Sequence, residues 1–247
     1  MAERERLDQL LVARGLVESR ARARDAILRG HVRVDGVAVD KPGQKVGMAA
    51  RLDVDDPAGG YVSRAALKLK AGLEHFSLDV AGRIALDLGA STGGFTQVLL
   101  EAGASKVHAI DVGHGQMHPM IAGDPRVVRR DGINARALTL EDLDGESPAA
   151  VVSDMSFISL RLALPPALDL AAPGACGLFL VKPQFEAGRE AVGKGGLVDP
   201  QVGEEVARDL ARWLADLGGW SVLGLEPSPI TGGDGNREWL LAAIKDR

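Results

Sequence analysis

The stretch from Ile84 to Gly94, IALDLGASTGG, constrains this chain more than any other. Ile84 to Leu88 is short and apolar enough for a buried strand. Gly89 stops it, and the Gly93-Gly94 pair leads into the apolar-periodic run Phe95 to Leu100. The pattern predicts a strand, a tight glycine turn and a helix. Such a turn lets a ligand approach backbone that carries no side chain and aims the free N–H groups of the helix start at it. A dinucleotide fingerprint wants G-x-G-x-x-G, whereas Gly89 is followed by three non-glycines and Asp87 precedes the turn. A carboxylate there would repel phosphate oxygens and suits the cationic amino-acid portion of S-adenosylmethionine (SAM). The candidate cofactor contacts of this stretch are Asp87, Gly89, Ser91, Gly93, Gly94 and Phe95; a plain tight connection is the competing reading.

The next strands add chemistry at their ends. Lys106 to Ile110 is apolar but for Lys106 and His108 and ends in Asp111, about twenty residues past the loop, where nucleotide-binding folds place the carboxylate that holds ribose hydroxyls. A helix cap is the alternative. Val127 and Val128 form a third strand followed by DGIN, whose Asp131 and Asn134 either read an adenine edge or make an Asx turn. Ala149 to Ser153 ends in Asp154, and a helix is expected from there to about Ala172. Gly177 to Val181 ends in Lys182-Pro183. In an open α/β sheet an acid and a base ending consecutive strands both lie at the ligand crevice. Residues 184–200 read as a mobile polar loop over the site, Gln201 to Leu217 as an amphipathic helix, and Ser221 to Leu225 as a strand. Asp234-Gly235 is a hairpin turn before an apolar, antiparallel final strand that Glu238 begins.

Size and composition bound the rest. At 247 residues and 46% hydrophobic content there is room for one sizeable domain and a small one. No apolar run reaches membrane-spanning length, and the start MAERERLDQL lacks an apolar signal region, so a cytoplasmic protein with no membrane partner is expected. The single cysteine, Cys176, reads as a small buried residue. Net charge is −5, yet Arg14 to Arg51 holds nine Lys or Arg against four acids, a local +5 that leaves the remainder near −10. A basic recognition module joined to a different domain produces that asymmetry.

That basic region reads as two helices and short strands. Leu7, Leu10, Leu11 and Leu16 form a helical stripe with Asp8 in the first turn and Gly15 as its stop. Ser19 caps a second helix whose inward candidates are Ala21, Ile27 and Leu28. Val32, Val34, Val37 and Val39 flank an Asp35-Gly36 hairpin turn, and residues 53–60 carry no pattern and read as a boundary. Beyond it, Val62, Ala66, Leu69 and Leu73 share a helical stripe with Ser63 as a cap.

From LDQLLVARGLVESRARARDAILRGHVRVDGVAVDKPGQKV, residues 1–55 resemble the RNA-binding module of ribosomal protein S-four. The resemblance implies that Arg14, Arg20, Arg22, Arg24, Arg29, Arg33 and Lys41 meet RNA phosphates. After a linker at 56–62, residues 63–247 are similar to the TlyA family, related to FtsJ-type RNA methyltransferases and often filed as haemolysin A. The motifs are SRAALKL, LDLGASTGGFT, AIDVGHGQ, SDMSFISL, LVKPQFE and SPITGGDGNREWLL. The implied fold class is α/β, a Rossmann-like SAM-dependent methyltransferase sheet, mostly parallel with an antiparallel last strand, joined to a small α+β RNA-binding domain. The implied activity is 2'-O-methylation of cytidine in ribosomal RNA, 23S with 16S left open, on free RNA or a ribosomal subunit. The family's catalytic Lys-Asp-Lys-Glu set maps onto Lys68, Asp154, Lys182 and Glu238. SRAALKL departs from the family, where two glycines often precede the Leu-Lys.

The chemistry of the four stands beside the resemblance. A ribose hydroxyl is a poor nucleophile, the sulfonium methyl is already activated, and the protein must align them and manage one proton. Lys182 is the candidate base or hydroxyl-orienting group, with Asp154 and Glu238 holding it and Lys68 in place; a structural ion-pair network is the alternative. His114 and His118 imitate a metal pair but lack a third ligand, so no metal is expected. Phe157 either shields the reacting ribose or is a buried aromatic after a strand. Two other function classes compete, a non-catalytic ribosome-binding factor that keeps the SAM fold and a cytolysin.

Overall fold

The computed structural model describes residues 3–246, and the chain divides into two compact units, residues 1–60 and 61–247.

The first unit comprises β1 (Arg4–Arg6), α1 (Leu7–Ala13), α2 (Arg20–Leu28), β2 (Val32–Val34), β3 (Val37–Ala38), β4 (Lys45–Gly47) and β5 (Leu52–Val54). Helix α1 ends on Gly15, whose φ of 68° lets its own N–H reach Val12 O and the Leu16 N–H reach Leu11 O. That closure takes Leu16 out of helical phase and leaves it 41% exposed, against the expected stripe. Ser19 caps α2, its side chain accepting from Arg22 N. The inward set of α2 is Ala23, Ala26 and Ile27 rather than Ala21, Ile27 and Leu28. The stripe at i, i+3, i+4 excludes positions 21 and 28, both of which are exposed. Asp35-Gly36 turns β2 into β3 as expected, β5 pairs on the other edge of β2, and β1 pairs with β4 in a separate ladder. The stretch read as a boundary is folded onto this unit: Leu52–Val54 is a strand, Asp56 pairs with Arg29 at 2.8 Å, and Ala58 is buried.

The second unit contains α3 (Ala66–His75), β6 (Ile84–Leu88), α4 (Gly94–Glu101), β7 (Lys106–Asp111), α5 (Pro119–Ala122), β8 (Val127–Asp131), β9 (Ala150–Ser153), α6 (Leu160–Ala163), α7 (Pro165–Leu170), β10 (Cys176–Val181), α8 (Pro183–Glu186), α9 (Pro200–Asp216), β11 (Trp220–Pro227) and β12 (Trp239–Lys245). The strands form one seven-stranded sheet in the order β11-β12-β10-β9-β6-β7-β8. Strands β6 to β10 run parallel, and β12 inserts antiparallel between β10 and β11. Both faces are covered, which is why these strands read as continuous apolar runs. Leu86, Leu88, Phe179 and Val181 belong to one core, and Ala85, Val107, Leu178 and Leu180 to the other. Residues 84–88 and 106–111 are strands as expected.

Two expectations change. The helix read through Ala172 is two short helices, α6 and α7, because Pro165 and Pro166 cannot continue the hydrogen-bond ladder of α6 and instead start α7. The stretch 184–200, read as too loose for an element, holds the end of α8, two single turns of 3-10 helix and a Val192–Val198 bridge. Asn236, only 3% exposed, ties it down, donating from Nδ2 to Gly196 O at 2.8 Å and accepting at Oδ1 from Val198 N at 2.9 Å. Asp199 then caps α9, accepting from Gln201 N at 2.8 Å with Pro200 in the first turn.

Candidate active site

Strand ends and one helix bring four charged groups together. Lys182 directly follows β10, Glu238 directly precedes β12, and the register places Val181 opposite Trp239. Asp154 follows β9, which pairs with β10 on its other side, and its N–H donates to Leu88 O. Lys68 comes from α3, whose close seating is made possible at Gly72, where a Cβ would stand 2.4 Å from Leu178 Cδ2. Lys68 Nζ and a Glu238 carboxylate oxygen form an ion pair with side chains 7% and 2% exposed. Lys182 Nζ lies 2.6 Å from Asp154 Oδ1 in an ion pair, and its hydrogen bond goes to Ser156 Oγ at 2.8 Å. Burial pushes the Glu238 carboxyl above the ordinary range; Lys68 and Lys182 pull it down and Asp154 pushes it up, so all four groups share one electrostatic neighbourhood.

Beside Asp154 opens a cavity of about 1180 Å³ lined by the ends of β6, β7 and β9 and by the segments that follow β8 and β10. Gly89, Ser91, Asp111, Asn134 and Asp154 line it; Asp87, Gly93, Gly94, Phe95 and Asp131 do not. Gly89 has a φ of 80°, and a Cβ there would stand 2.9 Å from Asp154 O, so only glycine lets β6 turn this close to the next strand end. Asp111 accepts from Ser91 N at 2.8 Å and from Gly113 N at 2.7 Å, holding the glycine turn and its own loop together. Asn134 caps a short turn by accepting from Arg136 N, and Asp131 accepts from Gly115 N. His118 is used as the cap of α5, accepting from Met120 N.

Asp87 lies fully buried, in phase with Ala85 on β6. Thr96 Oγ1 of α4 donates to its Oδ2 at 2.6 Å, while its Oδ1 has no hydrogen-bond partner among the described residues. Burial raises its pKa to about 7, with Asp154 and Asp111 adding to the rise. Three carboxylates at neighbouring strand ends therefore repel one another across the glycine turn, which a cation in the cavity would relieve. Together with the apolar wall of Val112, Ile133, Ala135 and Leu162 and the open lone pairs of Asp111, this donor set fits SAM: a flat purine, a ribose diol and a cationic tail.

Sequence reasoning missed four contributors. Ser156 holds Lys182, Gln116 Oε1 accepts from Ser91 Oγ at 3.0 Å, and Gln184 Nε2 donates to Asp234 at 2.9 Å. Glu186 is the fourth, accepting from Ser159 Oγ and Leu160 N. Their only signal was membership of the quoted motifs. Phe157 is 91% exposed, its φ is 65°, and its ring centroid lies 5.3 Å from that of Phe185 on the cavity wall. It is not a buried aromatic.

In the first unit the seven cations read as phosphate contacts are placed differently from one another. Arg29, with a side chain 16% exposed, is bound to Asp25 and Asp56, and Arg20 reaches Asp8 at 3.3 Å. Arg14 donates to Met48 O and Ala50 O, and Arg22 to Ala58 O. Arg33 makes one long bond to Gly36 O, and among the described residues Arg24 and Lys41 are exposed with no side-chain partner.

The sheet order, with an antiparallel strand inserted before the edge and a ligand cavity at the carboxyl ends of the parallel strands, defines a methyltransferase of the Rossmann-like class. The FtsJ-like methyltransferase family matches residues 61–245 and the S4 domain residues 5–52. The chain therefore belongs to the FtsJ-like methyltransferases and carries an S4 domain at its start. It is 46% identical over 243 residues to the 16S/23S rRNA (cytidine-2'-O)-methyltransferase TlyA of Mycobacterium tuberculosis, covering 98% of this chain and 90% of that one. It is 39% identical to Hemolysin A of Brachyspira hyodysenteriae, covering 95% of this chain and 98% of that one. A protein of known structure from Streptococcus thermophilus superposes with a TM-score of 0.77 at 39% identity, covering 100% of this chain and 90% of that one.

Proposed function

We propose that this enzyme transfers the methyl group of SAM to the 2'-hydroxyl of a cytidine in ribosomal RNA, with the S4 domain holding the RNA. The observation that carries the reading is the pairing of Lys182 with Asp154 and of Lys68 with Glu238 beside the cavity. The activity named for the Mycobacterium tuberculosis relative, at 46% identity over nearly the whole chain, supports the substrate class.

SAM supplies an electrophilic methyl on a cationic sulfur, so the protein need not activate the methyl donor. Gly89, Ser91, Asp111 and Asn134 would hold the cofactor; Asp87, Gly93, Gly94, Phe95 and Asp131 lie outside the cavity lining. Lys182 Nζ, fixed by Asp154 and Ser156, is the group that would meet the ribose hydroxyl and orient a lone pair toward a bound methyl donor. With the cofactor bound, the oxygen–carbon bond would form as the methyl–sulfur bond breaks to leave a neutral thioether, and the hydroxyl proton, most acidic at that point, would pass to solvent water. Lys68 and Glu238, buried and paired, lie within electrostatic reach of Lys182 through the Glu238 carboxyl. Phe157, exposed on the cavity wall, offers a stacking face to an RNA base.

The test is transfer of labelled methyl from SAM to naked rRNA, isolated subunits and ribosomes. Incorporation into ribose 2'-O positions that Lys182→Ala abolishes, with SAM binding retained, is expected. No incorporation into any of the three substrates removes the reading, and RNA binding at full affinity without turnover selects a non-catalytic binding factor.

A further inference from the structure

We propose that Glu186 is a positioning residue that latches the segment between β9 and α6, so that Lys182, Asp154 and Phe157 are presented in one fixed arrangement; this rests on the reading above. The segment Asp154–Ser159 is gripped at two points by one short stretch of chain. Lys182 holds its start through Asp154 and Ser156. Four residues later, at the end of α8, Glu186 holds its far end: Oε2 accepts from Ser159 Oγ at 2.6 Å and Oε1 accepts from Leu160 N at 2.7 Å. Both bonds are short, and both carboxylate oxygens are committed to this one target. Between the two grips the chain passes through Phe157 at φ 65°, a left-handed conformation that a non-glycine residue adopts only when its surroundings impose it.

The latch also explains a half-buried acid that the proposed chemistry does not use. Glu186 sits where burial raises its pKa; Ser159, Leu160 N and Arg161 oppose the rise. Keeping a carboxylate there is unfavourable unless its two acceptor oxygens are needed where they are. Release of the far grip would let Phe157 relax to ordinary backbone and carry Ser156, and with it the hydrogen bond to Lys182 Nζ, out of line. Glu186 is not itself part of the cavity lining, reaching it only through Ser159, and its hydrogen bonds go to Ser159 and Leu160 rather than to the four charged groups.

The experiment compares Glu186→Ala, Glu186→Gln and Ser159→Ala in the full chain. Hydrogen exchange of amides 155–161 is expected to rise about tenfold in Glu186→Ala, with exchange in β6, β9 and β10 unchanged and binding of SAM within about twofold of wild type. Methyl transfer to ribosomal RNA is expected to lose kcat by about tenfold while KM for SAM is unmoved, and Glu186→Gln, which keeps an amide oxygen for Leu160 N, recovers at least half of that loss. Ser159→Ala, which removes one of the two bonds together with the Oγ that accepts from Arg161 N at the start of α6, falls between wild type and Glu186→Ala in the exchange of amides 155–158. Unchanged exchange over 155–161, or a Glu186→Gln variant as impaired as Glu186→Ala, overturns the proposal. Should Glu186→Ala fail to fold, the exchange of amides 155–158 in Ser159→Ala decides alone, since these precede the α6 start that Ser159 also caps: a rise there supports the latch and no rise ends it. Wild-type enzyme inactive on every RNA substrate counts against the functional reading and leaves the exchange result to judge the latch.

Discussion

Lys68 and Glu238 illustrate how a buried pair constrains both stability and chemistry. Their side chains are almost wholly removed from water, so truncating one leaves the other as an uncompensated buried charge. Lys68→Ala is expected to destabilise the fold by about 3–5 kcal/mol in urea denaturation, whereas Lys68→Met combined with Glu238→Leu recovers most of that stability while remaining inactive. Equal stability of Lys68→Ala and wild type would mean the pair is solvated in solution. Asp87 gives the pH dependence. Its folded-state pKa of about 7 stands above the ordinary 3.8 because of burial, so the folded protein keeps a proton that the unfolded chain has released. Asp87 therefore adds stability below about pH 4, and that contribution is lost as the pH rises to about 7, on the order of 4 kcal/mol in all. Asp87→Asn is expected to flatten this part of the pH–stability curve and to be the more stable form at pH 8. A wild-type curve as flat between pH 4 and pH 7 as that of the Asn variant would show that the carboxylate is charged and satisfied.

At the scale of elements, what a single sequence discloses depends on how local the cause is. The strand-turn-helix around Gly89, the Ser19 cap and the Asp35-Gly36 hairpin follow from neighbours in the chain, and all were legible. Leu16, the break at Pro165 and the inward face of α2 needed the exact phase of a helix end, which periodicity leaves loose by a residue or two. The bonds of Ser156, Glu186 and Asn236 join segments from about 26 to 40 positions apart, and a polar residue in a glycine-rich stretch gives no sign of its distant partner. The four charged groups were placed by motif, whereas their pairing, Lys68 with Glu238 and Lys182 with Asp154, depends on β12 entering beside β10. Gly89→Ala tests the seat of Asp154: the added Cβ must fit against Asp154 O in a left-handed backbone, and a cost of about 2–4 kcal/mol with loss of SAM binding is expected from calorimetry. Phe157→Ala, by contrast, removes an exposed ring and leaves stability and SAM affinity unchanged while raising KM for RNA about tenfold. An unchanged KM would leave the ring without the stacking role.

Across the whole molecule the charge is divided, a net −5 that conceals a basic stretch near the start. The structure separates its cations by what they already hold. Arg29 is consumed by Asp25 and Asp56, whereas Arg24 and Lys41 are exposed with no side-chain partner among the described residues, and Arg33 keeps only a long bond to Gly36 O. A cation that pairs internally returns little when it meets a phosphate, because it must first give up its partner. One that is hydrated and free releases a condensed counterion from the RNA at no such cost. Glutamine at Arg24, Arg33 or Lys41 is therefore expected to weaken ribosomal RNA binding and to lower the slope of log affinity against log salt by about 0.7–0.9 each, leaving the melting temperature in place. Arg29→Gln is expected to do the reverse, lowering thermal stability by stranding Asp56 while leaving the salt slope nearly intact. The measurement is filter binding across a salt series alongside thermal melts, and a salt slope that falls equally for Arg29 and for Arg24 would show that internal pairing does not decide which arginines meet RNA.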